Sequence, residues 1–439
     1  MAGNAVLAFP QPPLERPLLV GCSGGLDSTV LLHRLAGDPA LRRQGLRAIH
    51  VHHGLHPDAD GWARHCGREC RGLGIALDVV EVDVARDSGS GLEAAARTAR
   101  HAAFESTLRD GEVLVLAHHL DDQAETFLLR ALRASGSDGL GAMRAWRAFG
   151  RGWLWRPLLD TPRARLYRYA QAHSLRWLDD PANASDIHDR NFLRNRVMPL
   201  LRERWPQANA AFARSAGLQQ ESIALLDDGD AQALAQVRGV DPSCIDAAKL
   251  ADLPAPRRAR VLRRWIADRG LPPLPARGVA RIERDLLPAA RDSIPVFAWH
   301  GAVVRRWRDL LWAERSSPPL PPGFRAAWDG STPLDLPTGH RLSLTGTRGH
   351  PADTTSATPW IVHARDGGER IALPGRRHTH ALKHVLQDLG IPPWMRRQLP
   401  LLSSVEGTLL AAGDLLFSDA FAAWLEIRGR QLHWRPSMP

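Results

Sequence analysis

The sequence predicts an α/β fold: a parallel-sheet domain covered by helices, then a helical domain, then a small mixed α/β C-terminal domain. Three observations carry this. Short apolar or β-branched runs alternate with helix-period stretches through Leu132, which is the pattern of buried parallel strands. Polar clusters recur where those runs end. Beyond them the strand signal fades into long Arg-rich helical stretches.

The elements follow in order. Strands are expected at 17–21, 48–52, 76–82 and 113–117, and helices at 28–35, 60–73, 92–108 and 121–132. Ligands of such sheets sit at the carboxyl ends of the strands. Three polar clusters fall there, at 23–28, 50–53 and 118–125. Residues 151–215 and 218–292 read as mostly helical, and Pro254 opens an Arg-rich helix reaching about Arg269. The proline-dense stretch 316–323 reads as a linker, and 347–359 as a second loose stretch. Residues 370–429 read as compact and mixed. The expected domains are therefore a catalytic domain over 1–215, a helical domain over 216–315, a connecting segment over 316–366 and a C-terminal domain over 367–439.

A chain of 439 residues with 44% hydrophobic residues suits two or three domains with real cores and excludes global disorder. No apolar run approaches the roughly 20 residues that cross a bilayer. The first 16 residues lack a signal-peptide pattern. Four cysteines are too few for a disulfide scaffold. A cytoplasmic protein with no membrane partner is expected. The formal charge of +10 favours a polyanionic partner, nucleic acid first. Lysine occurs only at Lys249 and Lys383, so the charge is carried by arginine, which forks onto phosphate and stacks on bases. An Arg-biased genome explains that choice equally, but not the excess over acids.

Ser23-Gly24-Gly25-Leu26-Asp27-Ser28 lies between a strand and a helix. Paired glycines let backbone N–H groups close on a phosphate, the serines add hydroxyls, and the helix start favours an anion. Asp27 would repel a bare phosphate and suits a phosphate-bound Mg²⁺. The alternative is an ordinary glycine turn with a capping serine. The loop is neither a Walker A motif nor a dinucleotide fingerprint.

His118-His119-Leu120-Asp121-Asp122-Gln123-Ala124-Glu125 follows the fourth strand. Glu125 lies one helical turn beyond Asp121 and Asp122. Grouped carboxylates and imidazoles are costly without ligands; they suit Mg²⁺, with Asp121 a candidate ligand beside Asp27, and a cationic amine. For Asp121 the competing role is helix N-cap; for the histidines it is zinc. Arg97 and Arg100 share a helix face and suit phosphates, against a Glu93–Arg97 surface pair.

The loop at 23–28 resembles the PP-loop of N-type ATP pyrophosphatases, with their Rossmann-like sheet. With His50-Val51-His52-His53, the 92–100 helix, 118–126, 139–143, Trp177-Leu178-Asp179-Asp180-Pro181 and Arg190-Asn191-Phe192-Leu193-Arg194, the chain closely resembles the tRNA(Ile)-lysidine synthase family. The likeness covers 18–215 and resumes at 367–419, through Gly390-Ile391-Pro392-Pro393-Trp394. It implies ATP and Mg²⁺ as cofactors, an isoleucine tRNA with a CAU anticodon and free L-lysine as partners, and either a monomer or a homodimer. It implies adenylation of O2 of the wobble cytidine and attack of the lysine amine at C2, so that the codon read changes from AUG to AUA and the amino acid from Met to Ile. Carried over residue by residue, Ser23, Gly24, Gly25, Leu26, Asp27, Ser28 and His50 bind ATP. Arg97 serves the ATP or the adenylate, Asp122 and Glu125 handle lysine and its proton, and Asn191 and Arg194 close the site. Two departures stand out: His52 where relatives carry Asn, and Ala134 where they carry Gly.

For tRNA, Trp146, Trp153 and Trp155 among Arg144, Arg147, Arg151 and Arg156 suit base stacking, or a core. Arg133 suits phosphates; so does the helix carrying Arg257 and Arg264, or it is a solvated face, and so does the 305–308 run, or it is a strand or loop edge. By the resemblance, the patch with Lys383 and Arg396 grips the acceptor stem. A PP-loop tRNA thiolase would need a cysteine beside the loop, and Cys66 and Cys70 are expected away from it. An RNA binder with an inert ATP site is the remaining alternative.

Overall fold

The computed structural model describes residues 7, 10–84, 91–181, 185–346, 359–376 and 378–436. The loose stretch expected at 347–359 lies outside them except for Pro359. The chain divides into two compact units, 1–227 and 228–439.

The first unit runs β1 (Leu18–Gly21), α1 (Leu26–Ala36), α2 (Pro39–Gln44), β2 (Leu46–His52), α3 (Ala59–Gly72), β3 (Ala76–Glu81), α4 (Leu92–Thr107), β4 (Val113–Val115), α5 (Leu120–Leu132), α6 (Ser137–Leu140), β5 (Trp146–Phe149), β6 (Gly152–Trp155), α7 (Arg163–Ala172) and α8 (Asp189–Phe192). A π-helical turn, Leu193–Val197, joins α8 to α9 (Met198–Arg204), and α10 (Ala208–Val237) follows. The sheet order is β3-β2-β1-β4-β6-β5, parallel except for the β5–β6 hairpin. Leu18, Leu19 and Val20 are fully buried because both faces of β1 are covered, which is why the strand reads as a continuous apolar run. Val20 pairs with Ala48 on one side and Val115 on the other. The strand order turns back between β1 and β4, and the crevice at a parallel sheet's carboxyl edge opens at such a switch. The PP-loop leaves β1 there and the His-His segment leaves β4.

Residues 151–215 are less helical than expected. Trp146–Phe149 and Gly152–Trp155 extend the sheet as a hairpin. A side chain at Gly152 would meet the Glu112 carbonyl at 2.0 Å, so glycine is required where β6 joins β4. Trp155 is buried in the core and Trp146 stacks on Trp153. The stacking surface expected for a base is thus spent on packing.

The second unit begins with β7 (Cys244–Asp246), α11 (Ala247–Ala251), α12 (Ala255–Asp268), α13 (Ala276–Arg281), β8 (Val296–Trp299), β9 (Ala302–Trp307) and β10 (Leu310–Arg315). These strands form an antiparallel sheet ordered β7-β10-β9-β8; only β9 was foreshadowed, by the strand-edge alternative for 305–308. Val261, Leu262, Trp265 and Ile266 of α12 recur at helical spacing and share a core with Val304 and Leu311. The stretch 316–323 is not a free linker. Leu320 is buried and donates its N–H to the Arg397 carbonyl at 3.1 Å, and Gln398 Nε2 donates to the Ser317 carbonyl at 2.9 Å. Beyond it, a seven-stranded sheet spans 325–417, and a three-stranded sheet pairs His340–Gly346 with Arg430–Pro436. No helix among the described residues is long and apolar enough to cross a membrane.

Candidate active site

The loop is built by its own side chains. Ser28 Oγ accepts from the Ser23 amide at 3.2 Å, lies 3.0 Å from Ser23 Oγ and contacts the Gly25 carbonyl at 3.0 Å. Gly24 has φ +83°, and a Cβ there would sit 3.0 Å from Leu178 Cδ1 and 3.1 Å from Cys66 Sγ. Glycine is therefore demanded twice, by backbone conformation and by space. Leu178 of the Trp-Leu-Asp-Asp-Pro segment donates its N–H to the Gly24 carbonyl at 2.9 Å, which explains why that motif accompanies the loop. Gly25 caps α1 without a side-chain bond, so the helix start is not closed by a side chain of its own cap.

His119, not Asp121, caps α5. Its Nδ1 accepts from the Asp122 amide, and Asp122 Oδ2 accepts from the His119 amide at 3.1 Å. Asp121 is turned elsewhere: its Oδ2 accepts from the Arg163 amide at 2.8 Å and its Oδ1 from Asn209 Nδ2. His119 Nε2 lies 3.5 Å from Asp27 Oδ2 and 3.4 Å from Asp122 Oδ2. One imidazole thus joins the PP-loop to the carboxylate pair. Burial alone would lower the His119 pKa; the Asp27 contact and the charges of Asp122 and Asp121 outweigh it and raise it. Asp27 Oδ1 is buried with no hydrogen-bond partner among the described residues, and the charged Arg163 Nε stands off from it at 3.7 Å. An oxygen without a hydrogen bond fits one carboxylate contact to a phosphate-bound Mg²⁺, which takes most of its other ligands from water and substrate. Both Asp121 oxygens are already engaged. Among the described residues no group of three or more His, Cys, Asp and Glu is placed to hold a metal ion.

Asp122 and Glu125 are both buried and held by two arginines. Arg190 Nε donates to Glu125 Oε2 at 2.9 Å and its Nη2 to Asp122 Oδ1 at 3.0 Å. Arg194 Nε donates to Glu125 Oε1 at 2.7 Å and its Nη2 to Asp122 Oδ1 at 2.9 Å. Burial would raise the Asp122 pKa, but His119, Arg190 and Arg194 hold it down to about 2. Arg194 was expected here. Arg190 was missed, although its four-residue spacing from Arg194 in the Arg-Asn-Phe-Leu-Arg motif was the available signal. Asn191 anchors a neighbouring turn instead, donating to the Ser185 carbonyl at 2.9 Å.

A cationic wall lies beside this pair. Arg156 donates its Nε–H to His118 Nδ1 at 3.1 Å and an Nη1–H to the Arg144 carbonyl at 2.8 Å. Burial, with the fields of Arg147, Arg97 and Arg130, lowers Arg156 to about 10. Burial and the nearby arginines push His118 down to about 3 against the pull of Asp122. Arg97 has no hydrogen bond or ion pair among the described residues, because Glu93 pairs with His188 at 3.1 Å. The expected Glu93–Arg97 pair is absent. His50 is buried, with Nδ1 2.9 Å from the Cys22 carbonyl.

Other expected residues lie outside this group. Arg133 contacts Asp189 at 3.3 Å on the surface. In the second unit, Arg257 and Arg260 both pair with buried Asp230, and Arg258 with Glu283. Arg264 is half-buried on the same helix. Arg305 pairs with Glu314 and lies over Trp394, while Arg306 is buried and donates to the Leu287 carbonyl at 2.8 Å. Lys383 is exposed, and Arg396 Nε donates to the Ile391 carbonyl at 2.6 Å. Cys66 departs from expectation: α3 presses its thiol beneath Gly24. Yet Cys22, Cys66 and Cys70 are all buried. The hydrogen bond from Cys66, together with burial, pushes Cys22 up to about 12, and the Cys22 contact raises Cys70. Burial and raised pKa keep Cys22 and Cys70 as thiols, which does not suit a sulfur carrier.

A PP-loop domain model matches residues 4–201, a TilS substrate binding domain model residues 245–312 and a TilS substrate C-terminal domain model residues 361–434. With the loop and switch-point geometry above, the chain is a PP-loop protein of the ATP-binding kind. The tRNA(Ile)-lysidine synthase of Xanthomonas campestris pv. campestris (strain 8004) is 53% identical over 423 residues, covering 96% of each chain. That of Xylella fastidiosa (strain 9a5c) is 51% identical over 433 residues, covering 98% of each. The chain belongs to the tRNA(Ile)-lysidine synthase family. Among solved structures, the U34-tRNA thiolase NcsA from Methanococcus maripaludis is 19% identical with a TM-score of 0.38, covering 47% of this chain and 72% of its own. A TILS C-terminal domain is 19% identical with a TM-score of 0.21, covering 27% and 99%. Likeness at that level carries no weight here.

Proposed function

We propose that this chain modifies an isoleucine tRNA with a CAU anticodon, acting as a carbon–nitrogen ligase that converts the wobble cytidine to lysidine. The cytosine O2 attacks the α-phosphorus of ATP, the bond to the β-phosphate oxygen breaks, and pyrophosphate leaves. The ε-amine of free L-lysine then forms a bond to C2, the C2–O2 bond breaks, and AMP leaves. One observation carries this reading: His119 contacts Asp27 of the phosphate loop and Asp122 of the carboxylate pair at once, at 3.5 and 3.4 Å. A triphosphate tail and an amine would therefore meet in one pocket.

The roles follow from chemistry. Ser23, the amides of 24–28 and the α1 start receive the phosphates. Mg²⁺ bound to those phosphates, with Asp27 as its protein contact, would offset the charge on the leaving pyrophosphate. Arg97 and the wall around Arg156 face the charge that develops at phosphorus. Asp122, held near pH 2, is a poor proton acceptor and a good ammonium holder. Glu125 is left as the group that takes the proton from the attacking amine. Arg190 and Arg194 stand where the ammonium must go, and they withdraw as it enters. Incubation with the CAU tRNA, radiolabelled ATP and lysine tests the reading. Pyrophosphate release that requires tRNA, followed by lysine incorporation that requires both, is expected; release without lysine incorporation overturns it.

A further inference from the structure

Arg156 is spent in an unusual way. It is 8% exposed, forms no ion pair with a carboxylate among the described residues, and gives its Nε–H to an imidazole nitrogen. A guanidinium only donates, so His118 Nδ1 must accept and carries no proton. The ring's proton is therefore on Nε2, which the ring geometry turns away from Arg156. That atom has no hydrogen-bond partner among the described residues, and the side chain is only half-buried. His118 sits at the carboxyl end of β4, at the sheet's switch point, one residue before the imidazole that spans the two halves of the pocket.

We infer that Arg156 is a positioning residue, whose bond to Nδ1 holds His118 neutral with Nε2–H aimed at an anionic oxygen on the reacting α-phosphate. The imidazole is then a fixed donor, not a base. Its proton stays on Nε2 throughout, and no bond to the ring forms or breaks. The groups around it agree. Arg156 from β6's end, Arg190 from α8 and Arg100 from α4 all disfavour an imidazolium, and Asp122 from α5 alone favours one. The neighbouring His119 faces carboxylates instead, 3.5 Å from Asp27 and 3.4 Å from Asp122. Two adjacent histidines so divided have separate tasks: His119 ties the phosphate loop to the carboxylates, and His118 offers a neutral donor to the phosphate. A neutral donor has the advantage that it cannot be drawn into an ion pair with Asp122 and lost to the substrate.

This inference rests on the adenylation proposed above, and its test separates the two. In full-length protein labelled with ¹⁵N-histidine, the His118 signals are identified by their loss in His118→Gln. They should report an unprotonated Nδ1 and a protonated Nε2 at pH 6, with no titration down to pH 5. In Arg156→Met the same signals should titrate at higher pH, since the strongest nearby donor and a positive charge are gone. Single-turnover pyrophosphate release gives the second readout. His118→Gln, whose amide can donate from near the Nε2 position, should fall about 10-fold, and His118→Ala about 10²-fold. Arg156→Met should cost about 10-fold in the wild-type background and less than about 2-fold in His118→Ala, because a residue that acts through another is not additive with it. A protonated Nδ1 in the native protein overturns the inference, as do equal losses in His118→Gln and His118→Ala or multiplying losses in the double variant. If the tautomer is as stated and no pyrophosphate is released with tRNA, the functional reading fails while the hydrogen-bond assignment stands.

Discussion

At the scale of single residues, the site depends on a few groups whose neighbours fix their charge. Asp122→Ala should reduce lysine incorporation on the order of 10²-fold, since it removes the carboxylate shared by both arginines. Glu125→Gln should leave pyrophosphate release largely intact while lysine transfer falls about 10²–10⁴-fold, the usual reach of a general base. Quench-flow separation of the two steps checks both, and equal damage to both steps by Glu125→Gln would reject its assignment. Gly24→Ala should cost about 1–2 kcal/mol from backbone conformation alone and weaken ATP binding, read by urea unfolding and nucleotide titration. Most of these residues were legible in the sequence because their types are chemically expensive to group. Arg190 was given no role and Arg156 was read only among the tryptophans, because an arginine in an Arg-rich chain announces nothing until its partner is seen.

At the scale of elements, legibility followed burial. Strands β1 and β4 were readable because both faces are covered and the runs are apolar throughout; β2 keeps a buried Ala48–His50 centre, and the exposed β3 was read from its Val-Val pair instead. The β5–β6 hairpin was not, because Trp and Arg alternate there and arginine composition suggested helix and RNA. The α12 arginines show what composition leaves out: within a row of five cations, Arg257 and Arg260 close on Asp230, whose side chain is almost wholly buried. The turn after α5 offers a direct test. Ala134 keeps φ +51°, so the left-handed turn survives a residue that disfavours it. Ala134→Gly should stabilise the protein by up to about 1 kcal/mol, the left-handed penalty less glycine's extra chain entropy. Thermal unfolding reads this, and a lower melting temperature would mean the turn carries no such strain.

At the scale of the whole molecule, the histidines that the fold holds neutral make stability pH-dependent. His118 and His101 are pushed down, mainly by burial, to about 3 and about 4. The unfolded chain takes up protons near pH 6.5 that the fold refuses, so stability is full above that value and declines below it. The slope is about 1.4 kcal/mol per pH unit for each group, and His101 stops contributing near pH 4. Asp122 works in the other window: its contribution is present above 3.8 and is lost only as pH falls toward 2. His119, which is raised, works the other way over the same range, but one raised imidazole offsets only one of the two lowered ones. Denaturant midpoints should therefore be lower at pH 5 than at 7.5, and identical midpoints would show that His118 and His101 are not held neutral by the fold.

The arginine pair over Asp122 and Glu125 has one more consequence. The amino-acid subsite proposed above is not electrically vacant, since two guanidiniums of the protein already rest on its two carboxylates. On that reading an arriving lysine meets a carboxylate pair that is already neutralised, not an unbalanced charge. Its affinity should be nearly indifferent to ionic strength, whereas capture of the RNA, which sheds counterions, should weaken steeply with salt. Discrimination at that subsite must then rest on shape and length, because charge alone would serve the protein's own side chain just as well.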